Sequence, residues 1–227
     1  LEEAIQSRSK IIFVDTSDDG QIDKTKINKG LYFKRELYNS ERNVYQIYFA
    51  IPKKKITSSI NLNPRNILSP VVPGRMETYV HQKEKDYYEM YQNSIFSLTY
   101  KKNGWDCLRH YEILANGSIP MFIKLEDCPK MTLTNLPKDK LLEVFNSYSK
   151  ILSNYNPFKI YKKRFRDLSK FFLYGKNFFK KLPSPNSFIK KNQDINQLRN
   201  YLLEYTKANL TSEKLAEYLI KTSSIFF

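Results

Sequence analysis

A chain of 227 residues, 41% apolar and 15% aromatic, can bury roughly 70% of the surface its unfolded form exposes, enough for one large or two small domains with a real core. No run of about 18 uncharged apolar residues is present to span a bilayer, which excludes an integral helical membrane protein for this stretch of sequence. The formal net charge of +15 asks for an acidic partner, yet residues 159–191 hold eleven Lys or Arg against the single acid Asp167, leaving only +5 for the rest.

The chain opens at Leu1 with no charged, apolar and cleavable leader segments in sequence, and is expected to be a piece of a longer protein. Cys107 and Cys128 suit free thiols in a reducing, cytoplasmic compartment. The first strand expected is IIFVD (residues 11–15), an apolar β-branched run that reads as buried and feeds the polar loop TSDDG. The stretch DTSDDGQIDKTK (15–26) follows a calcium-loop pattern through Asp15, Ser17, Asp19, Gly20 and Ile22. Its twelfth position, however, is Lys26 where a bidentate Glu is needed, so no metal is expected. A second strand is expected over VYQIYFAIP (44–52). The proline-marked stretch NLNPRNILSPVVPG (61–74) reads as a linker and domain boundary.

Beyond it, EKDYYEMYQNS (84–94) has helical spacing, SIFSLTY (94–100) reads as a strand, and residues 101–107 form a glycine-bearing loop. A helix follows, with Asp106 as its expected cap and Gly117 at the left-handed position that ends it. Leu108, Tyr111 and Ala115 predict its buried stripe, while Arg109 and Glu112 are neighbours on another face. SIPMFI (118–123) closes the unit as the next strand. Helix, strand, loop, helix, strand is the order of a parallel α/β sheet, in which ligands bind beyond the carboxyl ends of the strands. A helix start of this kind, with Arg109 beside it, suits a diphosphate, and Glu112 suits paired ribose hydroxyls. An ordinary helix ion pair, with Trp105 and His110 as packing residues, accounts for the same spacing.

The stretch NSIFSLTYKKNGWDCLRHYEILANGSIPMF (93–122) resembles the donor-binding core of exostosin-type glycosyltransferases. Ser94, Phe96 and Leu98 match the family's strand and Gly104 its loop. Arg109 and Glu112 match its helix pair, and Gly117, Ile119 and Pro120 its closing turn. YFKREL (32–37) and FAIP (49–52) extend the likeness more loosely. The resemblance implies a GT-B-like α/β fold with Rossmann-type parallel sheets flanked by helices. Residues 1–74 would be a partial acceptor-side region with its linker, 75–150 the donor-binding core, and 151–227 a basic helical tail.

It further implies an inverting, metal-independent transfer of a sugar from a nucleotide-diphosphate donor to a glycan or lipid-linked acceptor, with no cofactor. Arg109 would contact the diphosphate and Glu112 the ribose, with Gly104, Trp105, Asp106 and His110 lining the pocket and Lys102, Lys34 and Arg35 supplying positive charge. Asp18 and Asp19, with Asp15, are the candidates for the base that deprotonates the acceptor. The family's two full halves need a longer chain than this one.

The tail KIYKKRFRDLSKFFLYGKNFFKKL (159–182) interleaves basic and aromatic residues, with Phe165, Leu168 and Phe172 at helical spacing. A basic amphipathic helix suits peripheral attachment to an anionic membrane. The same composition allows a nucleic-acid-binding module in which aromatics stack bases, although no nucleic-acid motif accompanies it and no nucleic acid is expected. Apolar positions at Leu198, Leu202, Tyr205, Leu215 and Leu219 predict closing helices.

Overall fold

The computed structural model describes residues 11–153 and 183–226, so the basic stretch 159–182 lies outside the described residues. Two three-stranded parallel sheets flanked by helices make an α/β architecture. The first sheet, in order β1-β2-β3, comprises β1 (Ile12–Asp15), β2 (Leu31–Lys34) and β3 (Val44–Gln46), with Ile12 opposite Leu31 and Tyr32 opposite Val44. The short helix α1 (Lys24–Ile27) lies on the crossover from β1 to β2, started by Asp23 accepting from the Thr25 N–H at 3.0 Å.

Strand β2 is buried on both faces, as a central parallel strand must be. Leu31 and Phe33 pack toward the C-terminal helix, while Tyr32 joins Leu37 and Val44 on the other side. Strand β1 is not buried as expected. It is the edge of its sheet, and Ile12 and Val14 remain 46% and 55% exposed because, among the described residues, no strand or helix covers their face. The expected strand over residues 44–52 also shrinks to β3, since the chain turns away after Gln46 toward the second sheet.

The second sheet has the order β4-β5-β6, with β4 (Asn66–Leu68), β5 (Ser94–Tyr100) and β6 (Ile119–Ile123). Leu68 pairs with Phe96, and Leu98 with Met121. Helices α2 (Glu84–Gln92) and α3 (Leu108–Ala115) are its crossovers, giving two consecutive βαβ units. The proline-marked stretch expected as a linker therefore supplies an integral strand, and Val71 and Val72 behind it are buried.

Helix α3 is buried on nearly every side, but not in the expected way. Leu108, predicted for the buried stripe, is 42% exposed, whereas Arg109 and His110 are enclosed against β5. Asp106 does not cap the helix. Cys107 holds the cap position without a side-chain bond, and the Asp106 carboxylate instead accepts the Phe49 N–H at 2.8 Å, a partner far away in sequence. The other end follows expectation. Gly117 has φ 68°, its N–H reaches the Leu114 carbonyl at 3.1 Å, and the Ser118 N–H reaches that of Ile113 at 3.2 Å. This is a Schellman closure, which strongly favours glycine. Gly117→Ala should cost about 1–2 kcal/mol in a urea titration, from left-handed strain and a Cβ 3.0 Å from Ile60 Cγ2.

Four further described helices complete the fold: α4 (Lys138–Ser153), α5 (Pro185–Lys191), α6 (Ile195–Asn209) and α7 (Ser212–Phe226). Helix α6 packs on α3 and α7 on the first sheet, so the closing pair crosses from one sheet to the other. At the turn between them, Ile51 N–H donates to the Leu210 carbonyl at 3.0 Å and Ser212 N–H to the Ile51 carbonyl at 3.1 Å. Buried Arg199 locks α6 down by donating to the carbonyls of Gly117 and Asn61, each at 2.8 Å. No described helix is long and apolar enough to cross a membrane. Both cysteines are free.

Candidate functional site

In parallel sheets the polar groups of a site gather past the carboxyl ends of the strands. Here the chain leaving β2, residues 34–37, meets the loop leaving β5, residues 101–107. Lys34, the last residue of β2, is fully buried. Its ammonium donates to Ser17 Oγ at 2.5 Å and Asp15 Oδ2 at 3.0 Å, and lies 3.4 Å from Asp19 Oδ1. These oxygens belong to the three positions that the calcium-loop pattern offers to a cation, so a tethered lysine stands where that pattern would place a metal. Among the described residues, no group of three or more His, Cys, Asp or Glu side chains is arranged to hold one.

Asp15 also accepts from the Tyr32 hydroxyl at 2.6 Å and from Ser17 N–H at 2.9 Å. Burial pushes its pKa up, but the hydrogen bonds from Ser17, Tyr32 and Lys34 outweigh burial and hold the carboxyl far below the usual carboxylate range. A carboxylate so stabilised is a weak base. Asp18 and Asp19 are more open, with side chains 48% and 59% exposed, and each is paired with a buried cation.

Arg35 joins the two sheets. It donates to the Thr16 carbonyl at 2.9 and 3.1 Å, pairs with Asp18, donates to the Asp106 carbonyl, and stacks 4.8 Å from the centre of the Phe49 ring. Glu36 accepts the Asp106 N–H at 2.8 Å. Gly104 fits here because a Cβ would stand 2.6 Å from Glu36 Oε1 and 2.9 Å from Asp18 Oδ1. Three sequence expectations change accordingly. Lys34 and Arg35, expected to offer charge to a ligand, are already compensated by protein oxygens, and Gly104 makes its close approach to carboxylates of the protein. Asp106 is buried, its pKa pushed up to about 6 by that burial against the opposing Phe49 N–H.

The second group centres on α3. His110 Nε2 lies 2.9 Å from the Trp105 carbonyl and Nδ1 2.8 Å from Thr99 Oγ1. A carbonyl can only accept, so Nε2 carries the proton and Nδ1 accepts from the Thr99 hydroxyl. That hydroxyl in turn accepts from Arg109 Nε at 3.2 Å, and Arg109 Nη2 donates to the Tyr100 carbonyl at 3.3 Å. His110, expected to contact a ligand, is instead a buried positioning residue, its pKa held down to about 3 by burial. The chain of bonds fixes both the Trp105 backbone and the Arg109 guanidinium. Trp105 is itself buried, with Phe122 6.4 Å away and the Lys101 ammonium 5.3 Å from its ring centre.

Lys102 is exposed in the loop, and Glu112 is half-buried one turn along α3 from Arg109. Burial pushes the Glu112 pKa up, opposed by the Arg109 guanidinium. Lys102 thus lies in the loop and Arg109 and Glu112 on the helix that follows it, while Arg35 reaches the same loop at the Asp106 carbonyl. Sequence reasoning missed Glu36, Phe49, Thr99 and the tyrosines of α2. Only Glu36, inside the charged string YFKREL, carried a local signal. Comparison with family models, with curated proteins and with solved structures finds no match for this chain.

Proposed function

We propose that this chain is the donor-binding part of a GT-B-like glycosyltransferase that uses a nucleotide-diphosphate sugar. One observation carries the reading: Arg109 and Glu112 stand one turn apart on the helix that begins just past the carboxyl end of central strand β5, with the guanidinium held by Thr99 and Tyr100. A forked cation beside a helix start suits a diphosphate, and a half-buried carboxylate one turn on suits vicinal hydroxyls. Two parallel sheets whose carboxyl edges meet at Arg35 and Asp106, tied by helices crossing between them, support a cleft-forming α/β architecture.

In the transfer, an acceptor hydroxyl oxygen forms the new bond to the anomeric carbon as the bond to the phosphate oxygen breaks. The hydroxyl proton passes to a carboxylate, for which Asp18 and Asp19 are the open candidates, and the nucleoside diphosphate leaves with both bonding electrons. Arg109 and Lys102 stabilise its charge. The acceptor is a glycan or lipid-linked glycan, reached from the side of the first sheet. Basic residues 159–182 would hold the protein at an anionic membrane.

A thermal-shift panel of UDP- and GDP-linked sugars, with a CMP-linked sugar as the monophosphate comparison, tests this. A donor at 100 times Kd should stabilise the protein by about 2.7 kcal/mol, and Glu112→Ala should weaken that donor at least about ten-fold. A panel in which no nucleotide moves the melting temperature, or a Glu112→Ala variant that binds like wild type, sinks the proposal. Steep loss of binding to single-stranded nucleic acid with salt, in place of any nucleotide response, would favour the basic-module reading.

A further inference from the structure

Next to Glu112 lies a ladder of tyrosines to which the donor reading gives no task, Tyr79 and Tyr87 packing partly buried against the small core cluster of Val71, Met90, Tyr91 and Ile113. Tyr91 of α2 is buried, and Tyr87 packs edge-on against it with centroids 4.9 Å apart and hydroxyls 2.7 Å apart. Tyr79 lies nearly parallel to Tyr87, at 22° and 6.4 Å between centroids, in the turn that follows the 3-10 segment Met76–Thr78. The Tyr88 ring is taken by the Lys55 ammonium, 6.0 Å from its centre, and its hydroxyl by Glu84 at 3.1 Å. Tyr79 is half-buried, as Tyr87 is. Two large apolar side chains in the same turn, Met76 and Val80, are 77% and 71% exposed, which a packing role does not explain.

The loop that carries Tyr79 leaves the carboxyl end of β4, the same sheet edge from which Arg109 and Glu112 are reached. It is pinned there where the Tyr100 hydroxyl donates to the Pro73 carbonyl, directly beside the Arg109 anchor. Tyr87 links the two parts, since its ring faces Tyr79 while the Glu112 carboxylate is near enough to help raise the pKa of its hydroxyl. A nucleoside diphosphate has its parts in the same sequence: flat base, vicinal hydroxyls, paired phosphates.

Resting on the donor reading above, we propose that Tyr79 is the nucleobase platform of this site. The base stacks on the Tyr79 ring between Met76 and Val80, the ribose hydroxyls donate to Glu112, and the diphosphate meets Arg109. Stacking reads a planar π face and tolerates any base, so Tyr79 fixes the ligand class as a nucleotide and leaves the choice of base to its edges.

The test measures affinities of UDP, GDP, CDP and ADP by calorimetry, with inorganic pyrophosphate as the probe that lacks a base. Wild type, Tyr79→Phe, Tyr79→Leu and Glu112→Ala are compared. Expected is a loss of about 5- to 100-fold for the tightest nucleoside diphosphate in Tyr79→Leu, near-wild-type binding in Tyr79→Phe, and unchanged pyrophosphate affinity in both. If Tyr79→Leu binds as wild type while Glu112→Ala does not, the platform assignment is wrong and the donor site stands. Loss of pyrophosphate binding together with the nucleotide also overturns the platform, because the defect is then one of the scaffold. If wild type binds no nucleoside diphosphate better than pyrophosphate, both readings fall.

Discussion

Replacing Lys34 with Met should destabilise the protein by about 3 kcal/mol, at the lower end of what breaking a buried ion pair costs. Methionine matches the length of the aliphatic stem, so the loss comes mainly from charge. The ammonium is fully buried, whereas the Asp15 side chain keeps 23% of its surface in solvent, and water reaching Asp15 recovers part of the interaction. The double variant Lys34→Met with Asp15→Asn should regain much of the stability, because the carboxylate it leaves behind, Asp19, is 59% exposed and solvated by water. Urea midpoints of the two singles and the double give the coupling. A Lys34→Met loss below about 1 kcal/mol would show that the ammonium is not what holds the Asp15 loop to β2.

Two buried groups set opposite pH dependences. His110 is neutral in the fold, with its pKa held down to about 3, while in the unfolded chain it titrates near about 6.5. Between those values the unfolded state binds the extra proton, so stability present above pH 6.5 is lost as pH falls, at about 1.4 kcal/mol per unit. For Asp106 the folded value is raised to about 6, against about 3.9 unfolded. In that window the folded state holds the extra proton, and stability rises as pH falls.

The two nearly cancel between pH 6 and 4, so the wild-type profile should be shallow. Asp106→Asn keeps an acceptor for the Phe49 N–H and removes one side of the balance. It should be about 2 kcal/mol more stable than wild type at pH 7, with that advantage gone by pH 4, and should itself lose about 3 kcal/mol over the interval. Taking the difference between the two profiles cancels the exposed carboxylates. Parallel profiles would show that Asp106 is not a buried charge at neutral pH.

The parts of the fold that the sequence revealed are those held by near neighbours. Strand β5, helix α3, the Gly117 closure and β6 follow from alternation, helical spacing and one left-handed glycine, all within about thirty residues. Strand β4 was hidden because its pairing with β5 is what makes it a strand, and prolines on both sides mask its three residues. The candidate site was legible as a set of residue types and only partly as roles. Arg109 and Glu112 lie one turn apart on α3, as their spacing suggested. Nothing local marks Lys34 as buried, since its acidic partners arrive from a loop 15 to 19 positions earlier. Likewise His110 looks like a ligand-binding histidine until Thr99 and the Trp105 carbonyl occupy its two nitrogens. Tyr79 was invisible because a stacking ladder is assembled from separate turns of the chain.

The grip of Arg199 on the Gly117 and Asn61 carbonyls spans 82 and 138 positions of sequence, and the bond from Tyr218 to the Gln46 carbonyl spans 172. Such separations delay closure, since long loops must be ordered before the contacts they make can reward it. During synthesis the α3–β6 turn would thus emerge well before the helix that seals it. The second sheet would wait with unsealed carbonyls until α6 clears the ribosome, and the first until α7 follows.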